Sequence, residues 1–341
     1  MARRKTMADL AEAADVSLST IDRILSGRGP VKRMTLEHVL ETAEEIGFHA
    51  TGTIRARLTQ DSPERVFGFL LNPDSRHLYT RLAQDLIRAT EQSPVIRGQA
   101  IVRHLARIDP EETAAALREL GSRCHAITAV MMDHPLINLA VADLARQGVP
   151  VLALMSDISA PERAGFLGAS DWKLGRTAGW FMRRLRPEGG KVAVLVGSGS
   201  YLCQRAHEMG FRQYLADHGC PHQLLPSRLT GEEDRTAREE MIRQISETPD
   251  LAGVMVAGGG LDGVVAAVRE RKRGDLTVIG TEMTDATRPA LLDGTVDVIL
   301  CHPSLALVDR TIEGMIIALD RPGSGPLHHI VPFEIAVSES V

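Results

Sequence analysis

Residues 6–47 confine the start of this chain to three short helices in a fixed order. In the first, apolar side chains recur at helical spacing (Met7, Leu10, Ala11, Ala14), with Thr6 placed as the cap and Asp9 three positions on. Asp15-Val16 leave room only for a tight turn, and aspartate tolerates the left-handed backbone that such a turn uses. Ser17 is suited to cap a second helix through Leu25, with Ile21, Ile24 and Leu25 inward and Leu18, Ser19, Asp22 and Arg23 outward. Gly27-Arg28-Gly29-Pro30 ends it. A third helix carries Leu36, Val39, Leu40, Ala43 and Ile46 as its stripe and stops at Gly47. Two crossed helices with so short a turn form a helix-turn-helix, whose second helix can set its outward residues against base edges in a major groove.

The rest of the chain has a different rhythm. Short β-rich runs (66–71, 126–132, 151–154, 192–196, 253–256, 278–280, 298–300) alternate with amphipathic helical stretches (78–90, 111–120, 136–147, 174–185, 204–217, 305–319). This pattern predicts parallel doubly wound sheets, with ligands outside the carboxyl ends of the strands. The length suffices for two lobes.

The run TMADLAEAADVSLSTIDRILSGRGPV, continued by Ile46-Gly47-Phe48, resembles the N-terminal module of the LacI/GalR family of bacterial transcription repressors. The resemblance implies that Ser17, Thr20 and Ser26 touch phosphates, that Leu18 and Ser19 discriminate operators, and that Arg23 reads a guanine; Thr6 joins this DNA-binding set. Asp22 is less usual for the family: it orients Arg23, accepts from a cytosine amine, or is simply solvated. Lys32 stands where the family often has a serine cap. The family also implies a hinge segment that folds on operator DNA and pushes a leucine into the minor groove. Thr53-Ile54-Arg55-Ala56-Arg57-Leu58 occupy that place, with Arg57 where counting suggests the leucine and Leu58 after it. Either the register shifts by one or the operator is bent differently. Thr59-Gln60-Asp61-Ser62-Pro63 read as a linker.

Phe166-Leu167-Gly168-Ala169-Ser170-Asp171-Trp172-Lys173-Leu174-Gly175-Arg176 resembles the crossing segment of periplasmic sugar-binding-protein folds, and Val278-Ile279-Gly280-Thr281-Glu282 their later strand end. The expected fold is a small all-α helix-turn-helix domain (1–50), a hinge and linker (51–64), and an α/β two-lobe periplasmic-binding-protein-like domain with parallel doubly wound sheets (65–341). The resemblance implies a first lobe completed near residue 300, a second over about 171–299 plus the tail, and three crossovers as hinge.

A polyol site needs carboxylates and amides that accept or share hydroxyl protons, with an arginine or histidine that donates. Asn72 and Asp74 follow the first strand, Tyr79 opens the next helix, and Asp133 and Asp157 follow later strands. Asp171 and Trp172 lie at the crossing, and Tyr201 is a weaker stacking candidate. The resemblance adds Glu282, where the family often has a ligand-contacting aspartate, and His302, in place of a frequent Gln or Asp. It also adds His207 with nearby Arg205, where many relatives place a ligand-binding arginine. Asp262 is a substitute for the polar residue whose place Leu261 takes. A helix cap or solvated loop charge is the alternative reading for Asp74, Asp133, Asp171, Asp262 and Glu282.

Charge alone does not point to DNA. The net charge is −5, with nine Lys and Arg against eight Asp and Glu in residues 1–60 and 30 against 36 beyond. Position says more: Arg3, Arg4, Lys5, Arg23, Arg28, Lys32 and Arg33 sit at expected backbone-contacting ends, so binding should be salt-sensitive and need dimerisation for affinity. Four unpaired cysteines (Cys124, Cys203, Cys220, Cys301) fit reduced thiols, and no metal or cofactor is implied. Neither an apolar signal region nor a run near the ~20 residues of a membrane span occurs, so a cytoplasmic location is expected.

Enzyme signatures are weak. Gly197-Ser198-Gly199 follows a strand, but Leu202 replaces the third glycine of a dinucleotide loop, and phosphate-loop, nucleophile-elbow and zinc-helix motifs do not occur. The expectation is a non-catalytic, dimeric, sequence-specific transcription regulator, a repressor of palindromic operator DNA controlled by a carbohydrate-like effector. A nucleobase corepressor is the alternative, and a sugar-binding transport protein is disfavoured because an export signal is lacking. After Ala336 no leucine heptad supports a tetramer.

Overall fold

In the computed structural model, residues 5–60, 62–323 and 325–341 are described; Arg3 and Arg4 lie outside them. The chain falls into two compact units, residues up to Val66 together with Arg88–Ala100, and Phe67–Ile87 together with Ile101–Val341.

In the first unit, α1 (Met7–Ala13), α2 (Leu18–Ser26) and α3 (Arg33–Glu45) follow the sequence signals closely. The Thr6 hydroxyl accepts from the Asp9 amide (3.2 Å) and the Asp9 carboxylate accepts from the Thr6 amide (2.7 Å), so two orphan donors of α1 are satisfied reciprocally. Asp15 takes φ 49° in the turn, Ser17 Oγ accepts from the Thr20 amide at 3.2 Å, and Gly27 ends α2 at φ 73°. No side chain caps α3 at Lys32. Leu10, Ile21, Ile24, Val39, Ala43 and Phe48 form the shared core. Ser17→Ala is expected to cost about 1 kcal/mol of this unit's stability; faster hydrogen exchange of the α2 amides checks it.

Past α3, α4 (Thr51–Leu58) buries Ile54 and Leu58 in the same core, and Arg57 Nη2 donates to the Gly29 carbonyl at 2.8 Å.

Two sheets follow. The first contains β1 (Glu64–Leu71), β2 (Arg97–His104), β3 (Ala126–Ala129), β4 (Val151–Leu154), β5 (Gly165–Gly168) and, from the far end of the chain, β12 (Leu327–Ile330), in the order β12-β5-β4-β3-β1-β2. Its helices are α5 (His77–Gln92), α6 (Pro110–Gly121), α7 (Pro135–Arg146) and α13 (Ser304–Asp320).

The second lobe starts with α8 (Asp171–Leu185). Its sheet has β6 (Gly190–Val196), β7 (His222–Leu224), β8 (Arg228–Leu229), β9 (Leu251–Ala257), β10 (Thr277–Gly280), β11 (Val298–Cys301) and β13 (Glu334–Ala336), in the order β13-β11-β10-β9-β6-β7, with β8 beside β6. The intervening helices are α9 (Leu202–Asp217), α10 (Asp234–Glu247), α11 (Leu261–Glu270) and α12 (Thr287–Leu292). Pairing is parallel except between β11 and β13.

The chain passes between the sheets three times: from β5 to α8, from β11 to α13, and from β12 to β13. β3 ends three residues before the expected Met132. There the backbone leaves the ladder, and the Asp133 amide donates across to the Ser200 carbonyl (2.9 Å) in the second lobe. α8 and α9 meet closely at Gly210, where an added Cβ would lie 2.3 Å from the Trp172 carbonyl oxygen. That approach sets His207 on α9 beside Asp171 at the start of α8.

Candidate functional site

The strand ends of the two lobes enclose a cavity lined by Asn72, Arg76, Tyr79, Met155 and Ser156 from the first lobe. Tyr201, Gln204, His207, Glu232, Thr281 and Glu282 line it from the second, with His302 at a crossing. It leaves about 60 Å³ to the centres of water-sized molecules, room for a few waters.

Arg76 is the centre of the arrangement. Its Nη1 donates to Glu232 and its Nη2 to Glu282, so one guanidinium from the first lobe bridges two carboxylates of the second. Burial opposes the charge on Arg76, but Tyr79 and the two carboxylates hold it firmly protonated. Burial also raises the carboxyl pKa of Glu282; Arg76 opposes the rise and Glu232 adds to it.

Glu232 is held in place by its surroundings. Its Oε1 accepts from Gln204 Nε2, and its Oε2 from the Gly259 amide at 3.1 Å as well as from Arg76. Gln204 is oriented in turn because its Oε1 accepts from the Ser198 amide at 2.7 Å. A Cβ at Gly197 would sit 1.7 Å from Glu232 Oε1, and one at Gly259 2.7 Å from Glu232 Oε2. The two glycine-rich strand ends therefore make room for a buried carboxylate rather than cradling a phosphate. Glu232 itself has φ 66° and Met155 φ 63°; they are two of only four non-glycine residues with positive φ among those described. Such backbone is strained and persists where the surroundings over-determine it.

A second interlobe link runs through Asn72, whose Nδ2 donates to the Tyr79 hydroxyl (3.1 Å) while its Oδ1 accepts from the Tyr201 hydroxyl (3.0 Å). Burial, first of several causes, raises the pKa of both phenols, so both stay neutral, Tyr79 accepting from Asn72 and Tyr201 donating to it. His207 Nε2 lies 3.0 Å from Asp171 Oδ1, and its Nδ1 is buried without a partner, as is Nδ1 of His302.

Burial, helped by His207 and opposed by Asp171, lowers the His302 pKa from 6.5 to about 4. A depressed histidine contributes stability that is present above its unfolded pKa and lost as pH falls through the folded one. Wild type should therefore lose stability between pH 6.5 and about 4, and His302→Gln should flatten that part of the profile. Urea unfolding across this range checks it.

Of the effector residues expected from sequence, Asn72, Tyr79, Tyr201, His207, Glu282 and His302 line the cavity, and Asp171 reaches it only through His207. The others stand elsewhere, each for a local reason. Asp74 is exposed. Asp133 accepts from the Ser159 amide and hydroxyl (2.8 Å each) and from Asn138. Asp157 forms a two-pronged ion pair with Arg163 at 2.7 and 3.0 Å. Asp262 accepts from the Thr284 hydroxyl at 2.7 Å. Trp172 is 43% exposed under the Arg176 guanidinium, and Arg205 is exposed on α9. Arg76, Gln204 and Glu232 were not expected. Glu232 opens a Glu-Glu-Asp run that reads as a solvated helix start, and nothing local marks Arg76 among the many arginines. Among the described residues no group of three or more His, Cys, Asp or Glu could hold a metal ion.

On the first unit, Leu18, Ser19, Arg23 and Ser26 are exposed along α2, with Ser17 at its cap; Thr20 is half-buried and Thr6 exposed. Arg23 makes only long contacts, Nε to the Ser19 carbonyl (3.3 Å) and Nη2 to the Thr20 hydroxyl (3.4 Å), so it can be redirected at little cost. Leu58 differs: it is 7% exposed in the helical core, and reaching a minor groove requires α4 to leave that packing.

These features define a two-lobed α/β domain that follows a helix-turn-helix in the sequence. Residues 67–320 match the periplasmic binding protein domain, and residues 6–51 match the bacterial regulatory proteins of the lacI family. The chain belongs to the periplasmic-binding-protein domain family, and its N-terminal module carries the regulatory domain of the lacI family. It is similar to the HTH-type transcriptional regulator DegA of Bacillus subtilis, with 21% identity over 241 residues, 64% of this chain and 63% of DegA. It is also similar to the maltose regulon regulatory protein MalI of Escherichia coli, with 33% identity over 90 residues, 26% of each chain. The chain thus spans less than two thirds of the length of these relatives. In structure it resembles a solute-binding protein from Agrobacterium vitis bound to α-D-tagatopyranose (TM-score 0.74, 16% identity, 81% of this chain and 95% of that one). Another from Burkholderia graminis in complex with D-arabinose gives a TM-score of 0.73, with 14% identity, 82% of this chain and 97% of that one. At such identities the likeness is one of fold. No helix among the described residues is long and apolar enough to cross a membrane.

Proposed function

We propose that the protein is a sequence-specific DNA-binding transcription repressor, acting as a homodimer on palindromic operator DNA and controlled by a small carbohydrate-like effector in the interlobe cavity. The observation that carries the reading is the Arg76–Glu232–Glu282 bridge: three charged side chains from opposite lobes converge on one interlobe cavity. A bound ligand that changes these contacts changes the free energy of lobe closure. Closure is the two-state element through which a ligand site and a DNA-binding module can be coupled. A 100-fold change in operator affinity needs about 2.7 kcal/mol of differential binding, within reach of a few hydrogen bonds to charged groups.

The solute-binding proteins of like fold hold D-arabinose and α-D-tagatopyranose, and the hydrogen-bonding side chains set among Leu78, Val130 and Met155 here suit hydroxyl-rich ligands. A planar nucleobase fits less well: the two tyrosines in the lining, Tyr79 and Tyr201, are both tied to Asn72. Thermal shift against sugars, polyols, sugar phosphates and nucleobases tests the reading, since a ligand of the native state raises stability by mass action. The expected result is a concentration-dependent rise from a hydroxyl-rich compound that shrinks in Glu282→Ala. A rise from nucleobases alone replaces the sugar reading with a corepressor.

A further inference from the structure

We infer that the ligand of this cavity is a hydroxyl-rich compound carrying one cationic nitrogen, an amino sugar or amino polyol, whose ammonium group is received by Glu282. The inference rests on the small-molecule reading above and narrows its chemistry.

The first ground is charge. The lining holds two carboxylates and one guanidinium, and the Glu232 and Glu282 side chains are only 4% and 9% exposed. His302 titrates near 4 and adds no positive charge at neutral pH. Setting aside His207, which is paired with Asp171, the cavity has one carboxylate more than it has cations, and the cost of that excess in buried surroundings shows in the raised carboxyl pKa of Glu282, burial being its first cause. An anionic ligand would bring a third negative charge. A neutral polyol leaves the excess in place, and one ammonium group removes it.

The second ground is hydrogen bonding, which separates the two carboxylates. Both oxygens of Glu232 are engaged: Gln204 donates to one, and the Gly259 amide and Arg76 donate to the other. Glu282 accepts from Arg76 through Oε2, and among the described residues no hydrogen bond reaches its Oε1. The free acceptor is on the excess charge.

The third ground is independent of the acidic pair. The His207 side chain, 5% exposed with Nε2 engaged by Asp171, lines the same cavity with its buried Nδ1 unpartnered, and so does Nδ1 of His302. A native interior leaves few such atoms unsatisfied, and a ligand hydroxyl can serve either nitrogen. The two unpartnered nitrogens give the lining two places for ligand hydroxyl groups beside the one open acceptor for a cation.

Calorimetric titration of the full chain with matched pairs tests this at pH 6.5: D-glucosamine against D-glucose, D-galactosamine against D-galactose, and D-mannosamine against D-mannose, with D-glucose 6-phosphate as the anion. The expected result is that the amine of at least one pair binds about tenfold or more tighter than its hydroxyl partner, the worth of one charge-assisted hydrogen bond. The phosphate should not bind, and the amine-to-hydroxyl ratio should fall towards one in Glu282→Gln. If that variant fails to fold, the wild-type ratio decides. Neutral sugars that bind as well as or better than their amines in every pair overturn the inference and leave the small-molecule site standing. Absence of binding by every compound overturns both.

Discussion

Arg76→Ala is expected to destabilise the two-lobe unit by about 3–5 kcal/mol, the usual cost of removing one partner from a buried ion pair. The loss arises less from the missing attraction than from what stays behind, since Glu232 and Glu282 remain side by side and nearly buried, without their shared cation. Two further outcomes separate this account from a simple packing defect. Adding Glu282→Gln removes one stranded charge, so the double variant should be more stable than Arg76→Ala alone. The single variant should also recover stability on acidification. Without Arg76 the folded pKa of Glu282 rises further above its unfolded value, and a raised carboxyl contributes stability that is present at low pH and lost as pH rises through the folded pKa. Urea unfolding of wild type, Arg76→Ala and Arg76→Ala/Glu282→Gln at about pH 5 and pH 7 measures all three. A pH-independent loss below about 1 kcal/mol, the worth of a solvated pair, would show that the bridge is not buried in solution.

Arg23→Ala should weaken operator binding by about 1–3 kcal/mol and relax preference at one base position. The side chain is exposed on α2 and held only by two long contacts to its own helix, so it is available to a guanine edge and its loss should leave the fold intact. Fluorescence anisotropy with an operator selected from a randomised duplex library, and with its single-base variants, measures both effects. If Arg23→Ala binds selected and random duplexes as wild type does, α2 is not the reading helix.

How far the fold could be read in advance depended on how local its causes are. The caps at Thr6 and Ser17, the left-handed Asp15 and the stop at Gly27 are decided within four residues of themselves, and all are visible in the sequence. Central strands such as β3, β4 and β10 are fully buried and so appear as short apolar runs. β2 escaped because it is an edge strand of half-buried residues, Arg-Gly-Gln-Ala-Ile-Val-Arg-His, with no clear alternation.

The cavity follows the same rule. Polar residues near strand ends picked out Asn72 and Tyr79, and the resemblance added Glu282 and His302, but the same two criteria also selected Asp133, Asp157 and Asp262, whose carboxylates are taken up by neighbours. Only tertiary structure reveals which strand-end carboxylate is already satisfied. Arg76 and Glu232 lie 156 positions apart, and a left-handed backbone on a glutamate leaves no mark on composition or periodicity. Leu58 is a similar case, since its burial depends on how α4 returns to the core.

The most direct test of the account is a titration of labelled operator with the full 341-residue chain, with and without a saturating ligand taken from the thermal-shift panel. The account predicts that the ligand changes operator affinity by about tenfold or more, a coupling of at least 1.4 kcal/mol, and that the change shrinks in Glu282→Ala. A ligand that binds wild type through Glu282 yet leaves operator affinity unchanged would contradict the claim that this cavity controls DNA binding.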